Sequence, residues 1–152
     1  MSEQQRDDSL HLFIVLSRAC EWVTAHAHRD IRRHGLNPTE YGVLELLYHK
    51  GSQPLQQIGE KVLMTSGNIT YVVDKLVGKG LVIRKPCPED RRVSFAEITD
   101  SGVALLDSVF PGHREVIDQA VSGLSDDEKR QAIDLLKKLG LYAKATFKES
   151  GS

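Results

Sequence analysis

Cationic side chains cluster in a short proline-containing segment near the middle of the chain. The segment from Arg84 to Arg92 includes Lys85 and Arg91, and it lies between two β-prone runs at 81–83 and 93–98. Because proline has no amide N–H to pair across a sheet, we expect a hairpin with an irregular tip that displays these cations. Such a narrow protrusion can enter a minor groove of duplex DNA. A run of charges is usually only a solvated loop, so this interpretation depends on the preceding helix.

The segment before the hairpin predicts a helix with one apolar and one polar face. Apolar residues recur at i, i+3, i+4 and i+7 and should face a core: Ile69, Val72, Val73 and Leu76. The opposite face carries short polar side chains, one aromatic ring and one cation: Gly67, Asn68, Thr70, Tyr71, Asp74 and Lys75. Side chains of these types can contact base edges and phosphates.

A shorter helix and a tight link precede this polar-faced helix. Residues 54–62 favour a helix, and the link Leu63-Met64-Thr65 has helix-turn-helix proportions. Ser66 or Thr65 is the expected N-cap, and the unpaired amides of the helix N-terminus would bind a phosphate. On these residues alone, an ordinary pair of helices packed in a core remains the alternative.

Positive charge is concentrated around these elements. The whole chain carries a formal net charge of −1, but residues 61–93 contain seven cations and three anions. Their net charge is therefore +4, and the rest of the chain carries −5. A cationic face binds phosphates through counterion release while an acidic remainder stays clear of DNA.

Over about residues 10 to 148, the chain resembles the MarR family of winged helix-turn-helix regulators. The resemblance depends on five motifs taken together, since each of them alone is weakly specific. They are Leu36-Asn37-Pro38-Thr39-Glu40-Tyr41, the helix from Ser66 to Leu76, Gly80-Leu81-Val82-x-Arg84, Asp90-Arg91-Arg92, and Ile98-Thr99-Asp100-Ser101-Gly102.

The resemblance implies a role for each residue that matches the family pattern. Arg92 would insert into the minor groove, Asp90 would orient it, and Arg91 would lie near phosphate. The exposed side of the polar-faced helix would enter the major groove. The residues we expect to bind DNA are Ser66, Gly67, Asn68, Thr70, Tyr71, Lys75, Arg84, Asp90, Arg91 and Arg92. Cys87 departs from the pattern, because relatives often carry aspartate there.

The N-terminal segment predicts one long helix from about Asp8 to His34. Its apolar residues recur at intervals of three and four: Phe13, Leu16, Cys20, Val23, Ala27 and Ile31. Such a helix spans about 40 Å, which is longer than a compact domain of this size covers. Part of its apolar face therefore needs a partner.

A capping box from Ser125 to Glu128 opens a second long helix near the C-terminus. One of its faces is apolar: Ala132, Leu135, Leu136, Leu139, Tyr142, Ala143 and Phe147. We expect the terminal helices to form an intertwined homodimer interface, as the resemblance also implies. A dimer supplies the two-fold symmetry of a palindromic operator in double-stranded DNA. A monomeric helical bundle is the alternative.

The expected fold class is mainly α with a small β-hairpin wing, in the order H-H-H-H-β-β-H-H. In a single MarR-type chain (1–152), residues 37–98 would form the winged helix-turn-helix lobe, and 8–36 and 99–148 the dimerisation helices. Asn37-Pro38-Thr39-Glu40 supplies an N-cap, a first-turn proline and a capping-box acid. Pro111 should kink or end, near Phe110, the helix that starts at Asp100.

Two cysteines are candidates for redox chemistry. Cys20 is expected as a small buried side chain on the first helix. Cys87 should be exposed at the hairpin tip, where nearby cations would favour its thiolate. Their separation argues against an intrachain disulfide. Because some MarR relatives sense oxidants or electrophiles through a cysteine, both residues are candidates for a thiol switch.

The resemblance also implies regulation by a small aromatic or phenolic effector. This ligand would lie between the dimerisation helices and the DNA-binding lobe, where the candidate residues are Arg18, Trp22, His26 and Tyr41. Each of them has the alternative of being a packing or surface residue, because binding pockets use few residues.

Other classes of function receive little support. His26 and His28 diverge by about 200° on a helix and cannot grip one ion, so we expect no metal and no other cofactor. The lack of a phosphate-cradling glycine loop or a nucleophile elbow argues against an enzyme. A helical scaffold without DNA affinity would leave Arg91 and Arg92 without a role. With no apolar run of about 18 residues and no secretory signal, we expect a cytoplasmic protein without a membrane partner.

Overall fold

The computed structural model describes residues 1–62 and 66–151, without the side chains of Ser66 and Gly67. The predicted link Leu63-Met64-Thr65, with Thr65 as a candidate N-cap, lies outside the described residues. Within them, six helices and three strands follow one another as α1 (Glu3–Arg33), α2 (Pro38–Lys50), β1 (Gln53–Pro54), α3 (Leu55–Lys61), α4 (Ser66–Gly78), β2 (Val82–Pro86), β3 (Ser94–Ile98), α5 (Asp100–Ala120) and α6 (Asp126–Ser150).

Capping boxes start three of the helices. The Asn37 side chain accepts from the Glu40 amide at 2.8 Å, and the Ser125 hydroxyl accepts from the Glu128 amide at 3.2 Å, as the sequence predicts. Ser2 forms a third box with Gln5. Because this box satisfies orphan amides at the chain start, α1 begins at Glu3 rather than near residue 8.

The sheet has three antiparallel strands in the order β1-β3-β2. In the wing hairpin, Val82 lies opposite Ile98 and Pro86 lies opposite Ser94. The sequence predicts two strands, whereas the sheet has three. Strand β1 has only two residues, one of them proline, and it exists because Gln53 lies opposite Ala96 on β3. A segment this short has no alternating pattern that sequence reasoning could detect.

The apolar stripe of α4 faces the core, as predicted from its spacing. Its four residues, Ile69, Val72, Val73 and Leu76, are buried against side chains of α2, α3 and the sheet. The buried Glu40 carboxylate at the start of α2 is paired with the Lys79 ammonium at 2.6 Å. This pair joins the N-terminal end of α2 to the turn that follows α4, and it keeps the buried charge compensated.

The wing is fixed to α4 and α5 at a compact junction. Gly80, at φ +76°, reverses the chain after α4, and the Leu81 amide donates to the Leu76 carbonyl at 3.0 Å. The Thr99 hydroxyl donates to the Gly80 carbonyl at 2.7 Å and accepts from the Gly102 amide at 3.1 Å. A Cβ on Gly102 would lie 2.5 Å from the Leu81 carbonyl oxygen, so only glycine fits there.

Helix α5 runs through Pro111 without ending. The sequence predicts a kink or an end near Phe110, and the structure rules out the end. Proline lacks the N–H of one helical hydrogen bond and its ring crowds the preceding turn, but buried side chains on both sides of it, Val109 and His113, hold the helix in place.

The chain divides into two compact units, Met1–Ile117 and Asp118–Ser152. In the first unit, α1 is buried only at its C-terminal end, at Asp30 and Ile31, whereas Phe13 is 66% exposed. In the second unit, no residue of α6 is buried, and its large apolar side chains face solvent. Among the described helices, none combines the length and apolar character that crossing a bilayer requires.

Candidate nucleic-acid interface

The polar face of α4 is exposed to solvent. Asn68, Thr70, Tyr71 and Lys75 are all exposed, and 64% of Tyr71 is accessible. The Lys75 ammonium lies 5.7 Å from the centroid of the Tyr71 ring, within cation–π range. The helix thus presents an aromatic ring and a cation one turn apart. The side chains of Ser66 and Gly67, also predicted to bind DNA, lie outside the described part.

A tight turn presents the arginines of the wing. The Val93 amide donates to the Asp90 carbonyl at 3.1 Å, which places Arg91 and Arg92 at the two central positions of a β-turn. The Cys87 amide donates to the Val93 carbonyl at 3.0 Å and closes the loop. Both arginines are exposed, and 90% of the Arg92 side chain is accessible.

Asp90 holds Arg92 in a fixed orientation. Its carboxylate accepts from Nε and Nη2 of Arg92 and also from the Arg92 backbone amide. The side-chain hydrogen bonds, followed by the backbone one, lower the pKa of Asp90 below its usual value. The carboxylate therefore stays ionised and orients the guanidinium, as the family resemblance implies.

A salt bridge connects the wing to α4. The Arg84 guanidinium lies 3.0 Å from the Asp74 carboxylate, so the first wing strand is tied to the polar face of the helix. Lys85, the next residue on β2, pairs across the hairpin with Glu97. Both pairs are partly exposed and contribute little to stability, but they set where these cations lie.

The structure brings three of the predicted residues, one from the helix and two from the wing, to one shared surface. Thr70 of α4 and the wing residues Arg84 and Arg92 line a single hollow of about 280 Å³. We call this the wing hollow; its complete lining is Pro54, Leu55, Gln56, Thr70, Arg84, Arg92, Val93 and Ser94. Sequence reasoning missed Gln56 and Ser94, because nothing in their local pattern shows that α3 and β3 meet beside Thr70.

Three of the four candidate effector residues line two separate hollows, and Arg18 lines neither of them. Trp22 and His26 line a shallow hollow on α1 together with Arg29, and Arg18 is exposed on the same helix. Tyr41 is buried on α2 and lines a different cavity.

That second cavity, of about 240 Å³, lies between α2 and α5. We call it the tyrosine cavity; its lining is Tyr41, Glu45, Tyr48, His49, Leu106, Asp107, Phe110 and Pro111. The Tyr48 hydroxyl donates to the Asp107 carboxylate at 2.6 Å, and this hydrogen bond raises the pKa of Tyr48. Burial, with smaller contributions from Glu45 and Asp30, raises the pKa of Tyr41. Both phenols therefore stay neutral at physiological pH and can donate hydrogen bonds.

A buried histidine–aspartate contact lies behind Tyr41. His113 of α5 contacts the Asp30 carboxylate of α1 at 2.9 Å through Nδ1, and its ring centroid lies 5.0 Å from that of Tyr41. The tyrosine cavity is thus backed by a polar contact between α1 and α5.

Both cysteines differ in exposure from the expectation. Cys20 is exposed, because only the C-terminal end of α1, at Asp30 and Ile31, is buried. Cys87 is only half-buried rather than fully displayed, because the loop closes over it toward Val93. Both thiols are free.

Clusters of metal-binding side chains do not occur in the described ranges 1–62 and 66–151, where no three histidine, cysteine, aspartate or glutamate side chains could hold one ion.

Comparisons with known proteins point to one family. The model of the MarR family matches residues 36–94. The HTH-type transcriptional regulator MhqR of Bacillus subtilis (strain 168) is 57% identical over 138 residues, which cover 91% of this chain and 95% of the relative. The uncharacterized HTH-type transcriptional regulator YkoM of the same strain is 46% identical over 142 residues, covering 93% and 92%.

A solved structure agrees in fold. Sco3205, a MarR family transcriptional regulator from Streptomyces coelicolor crystallised in complex with DNA, superimposes with a TM-score of 0.79 at 23% identity. The match covers 88% of this chain and 86% of that one. At this identity the likeness establishes the fold alone.

Proposed function

The chain belongs to the MarR family of winged helix-turn-helix transcriptional regulators, and on that premise we propose that it is a homodimeric, sequence-specific repressor that binds a palindromic operator in double-stranded DNA. Helix α4 of each protomer enters a major groove, and Arg92 of each wing enters the flanking minor groove. The proposal contains no catalytic step, and it places the protein in the cytoplasm.

The wing hollow is the observation that carries this proposal. It joins Thr70 on the polar face of α4 to Arg84 and Arg92 on the wing, so one surface presents hydrogen-bonding groups and two cations side by side. Thr70, Arg84 and Arg92 belong to the segment 61–93, which has a net charge of +4. A cationic surface of this kind attracts the DNA backbone, while the polar face of the helix supplies sequence readout.

Exposed apolar side chains on the terminal helices support the homodimer. The N-terminal part of α1 exposes Phe13 together with Leu10, and α6 exposes Leu136 and Tyr142. Apolar surface of this extent on terminal helices is typical of an association interface. Two-fold association would place the two α4 helices about one helical turn of DNA apart.

Selection from a random pool of duplexes, followed by footprinting upstream of the protein's own gene, tests the proposal. We expect enrichment of a palindrome whose half-sites are spaced by about 10 base pairs. We also expect transcription from a reporter carrying that site to fall when the protein is present. Binding no stronger than to poly(dI-dC) at moderate salt would contradict sequence-specific recognition.

The tyrosine cavity is our candidate for the site of an aromatic or phenolic effector that releases the repressor. It is lined by aromatic rings and by two carboxylates, Glu45 and Asp107, which accept hydrogen bonds from a phenolic hydroxyl. A screen of phenols for release of the operator tests this, with Tyr41→Ala as the cavity variant and Trp22→Ala as the control on α1. Equal loss of response in both variants would argue against the cavity.

Thiol-based sensing of oxidants or electrophiles is the second candidate for the switch. The observation that favours it is the exposure of Cys20, since reactive cysteines need access to the oxidant. Cys87 is less accessible but lies on the wing itself. Cys20→Ser and Cys87→Ser separate the two positions. Release of DNA by an oxidant in both single variants and in the double variant would eliminate a thiol switch.

A further inference from the structure

Two helices and both strands of the wing contribute polar side chains to the wing hollow. Gln56 comes from α3, Thr70 from α4, and Arg84 and Ser94 from the two strands of the wing. Arg92 closes the hollow at the tip of the wing. These residues are distant in sequence, so the hollow exists only because α3, α4 and the hairpin pack together.

The chemistry of the hollow suits a phosphate group. Its polar side chains, as far as the structure describes them, are two guanidiniums, two hydroxyls and one amide, all of which can donate hydrogen bonds. Asp74 and Asp90 pair with Arg84 and Arg92 but are not part of the lining. A volume of about 280 Å³ is several times the ~30 Å³ that a water molecule occupies in the liquid, so a phosphodiester group fits.

The position of the hollow also favours phosphate over a base. It lies between α4, which we assign to a major groove, and the wing, which we assign to the adjoining minor groove. One sugar–phosphate strand always separates two adjoining grooves of a duplex. A hollow between the two reading elements therefore faces that strand rather than the base edges.

We propose that the wing hollow binds one backbone phosphate per half-site, and that Gln56 is a direct phosphate contact that donates its amide N–H to a phosphate oxygen. The inference rests on the proposed DNA-binding function and names a contact of that same interface. Thr70 and Ser94 contribute hydroxyl donors, and Arg84, positioned by Asp74, supplies charge.

The neighbouring residue provides a matched control. Gln56 and Gln57 are both exposed on α3, but Gln57 points about 100° away around the helix and does not line the hollow. Alanine at either position removes the same side chain from the same short helix. A difference between the variants therefore reports the hollow rather than helix propensity.

Fluorescence anisotropy with a duplex selected from a random pool, and with poly(dI-dC) as the unrelated DNA, tests the assignment. We expect Gln56→Ala to weaken binding to both DNAs by about tenfold, since the lost hydrogen bond goes to a charged group. The salt dependence should stay unchanged, because glutamine is neutral. Gln57→Ala should change the affinity by less than about twofold.

Ethylation interference on the selected duplex locates the contact. Ethylation of one phosphate in each half-site should weaken binding of the wild-type protein by a larger factor than binding of Gln56→Ala, because the variant has already lost one of the contacts to that phosphate. Gln56→Glu preserves the shape of the side chain and places an anion beside the phosphate, so it should bind more weakly than the alanine variant. Thermal unfolding followed by circular dichroism verifies that each variant is folded.

The outcomes distinguish failure of the DNA-binding function from failure of the phosphate site alone. If the wild-type protein binds no duplex, the DNA-binding function fails and the phosphate site fails with it. If the wild type binds but Gln56→Ala and Gln57→Ala behave alike, only the phosphate site is overturned. A change of sequence preference in Gln56→Ala without weaker binding to poly(dI-dC) would also overturn it, because that result indicates a base contact.

Discussion

Both carboxylate oxygens of Asp90 accept hydrogen bonds from the Arg92 guanidinium, at 3.1 Å from Nε to Oδ1 and 3.3 Å from Nη2 to Oδ2. The Asp90 side chain also accepts from the Arg92 amide at 3.0 Å. The exposed arginine is thus held in one orientation before any partner arrives. A side chain fixed in advance loses less rotamer entropy on binding, so this pair supports the proposed insertion of Arg92 into a minor groove.

Arg92→Ala should weaken binding to the selected operator by at least about tenfold at moderate salt, because it removes a charged contact in the minor groove. The oligomeric state should be unaffected, since Arg92 lies on the wing and not on the terminal helices. Anisotropy titration and sedimentation equilibrium measure the two properties. Arg130→Ala is the control, because Arg130 is also an exposed arginine that pairs with an aspartate, Asp127. Equal losses in both variants would count against the wing.

The titration of Asp90 should report the pair directly. Because hydrogen bonds to Arg92 lower its pKa below the usual 3.8, the carboxylate stays charged to lower pH in the folded protein. Any stability from the pair is therefore fully present above pH 3.8 and is lost as the pH falls through the lowered pKa. Carboxyl carbon shifts measured by NMR should give a higher midpoint in Arg92→Ala. Identical midpoints would refute the contact in solution.

Substitutions on α4 should distinguish contacts to bases from contacts to phosphates. Tyr71→Ala should alter the preference among operator sequences, because its side chain faces the major groove in the proposed complex. Lys75→Ala should instead weaken binding to all duplexes and reduce the salt slope by about one, as expected for a phosphate contact. Titrations against single-base operator variants at several salt concentrations distinguish them. If Tyr71→Ala lost the same affinity for every duplex, the Tyr71 ring would contact the DNA backbone rather than the bases.

Gly102→Ala should destabilise the fold by about 1–3 kcal/mol, because the new Cβ would overlap the Leu81 carbonyl oxygen at 2.5 Å. Gly112→Ala, at an exposed position on the same helix with no atom within 4 Å of a new Cβ, is the control. It should be stabilised by about 0.5–1 kcal/mol through helix propensity. Urea unfolding measures both. If the two variants unfold at the same urea concentration, a Cβ at residue 102 does not overlap the Leu81 carbonyl oxygen in the folded protein.

Leu136→Glu should shift the protein toward monomers, because it places a charge on the exposed apolar face of α6. DNA binding should fall with it, since a monomer contacts only one half-site. Gln131→Glu adds the same charge at an exposed polar position of the same helix and should leave the dimer intact. Sedimentation equilibrium over a range of protein concentrations tests both. If Leu136→Glu remains dimeric, the dimer interface does not include this face of α6.

Much of the local structure follows from the sequence because its signals act over a few residues. The spacing of Ile69, Val72, Val73 and Leu76 predicts the buried face of α4, and the Ser125 and Asn37 boxes predict where two helices begin. The MarR membership was likewise readable from motifs. The roles of Asn68, Tyr71 and Arg92 toward DNA remain predictions, although all three are exposed on the structure as those roles require.

Other features depended on contacts between residues far apart in the chain. Strand β1 forms only because β3 offers it a partner, and α5 continues through Pro111 while its neighbours stay buried. Cys20 is exposed because burial of α1 is confined to its C-terminal end, which no local pattern encodes.

The sequence by itself determined the order of the helices, the starting residues of α2 and α6, the apolar and polar faces, and the concentration of positive charge between residues 61 and 93. These properties follow from helical periodicity, capping and charge, which operate between near neighbours. Only the tertiary structure decided that Gln56, Thr70 and Arg84 share one hollow. Their common surface arises from the packing of α3, α4 and the hairpin, and side chains separated by more than ten residues meet only when that packing forms.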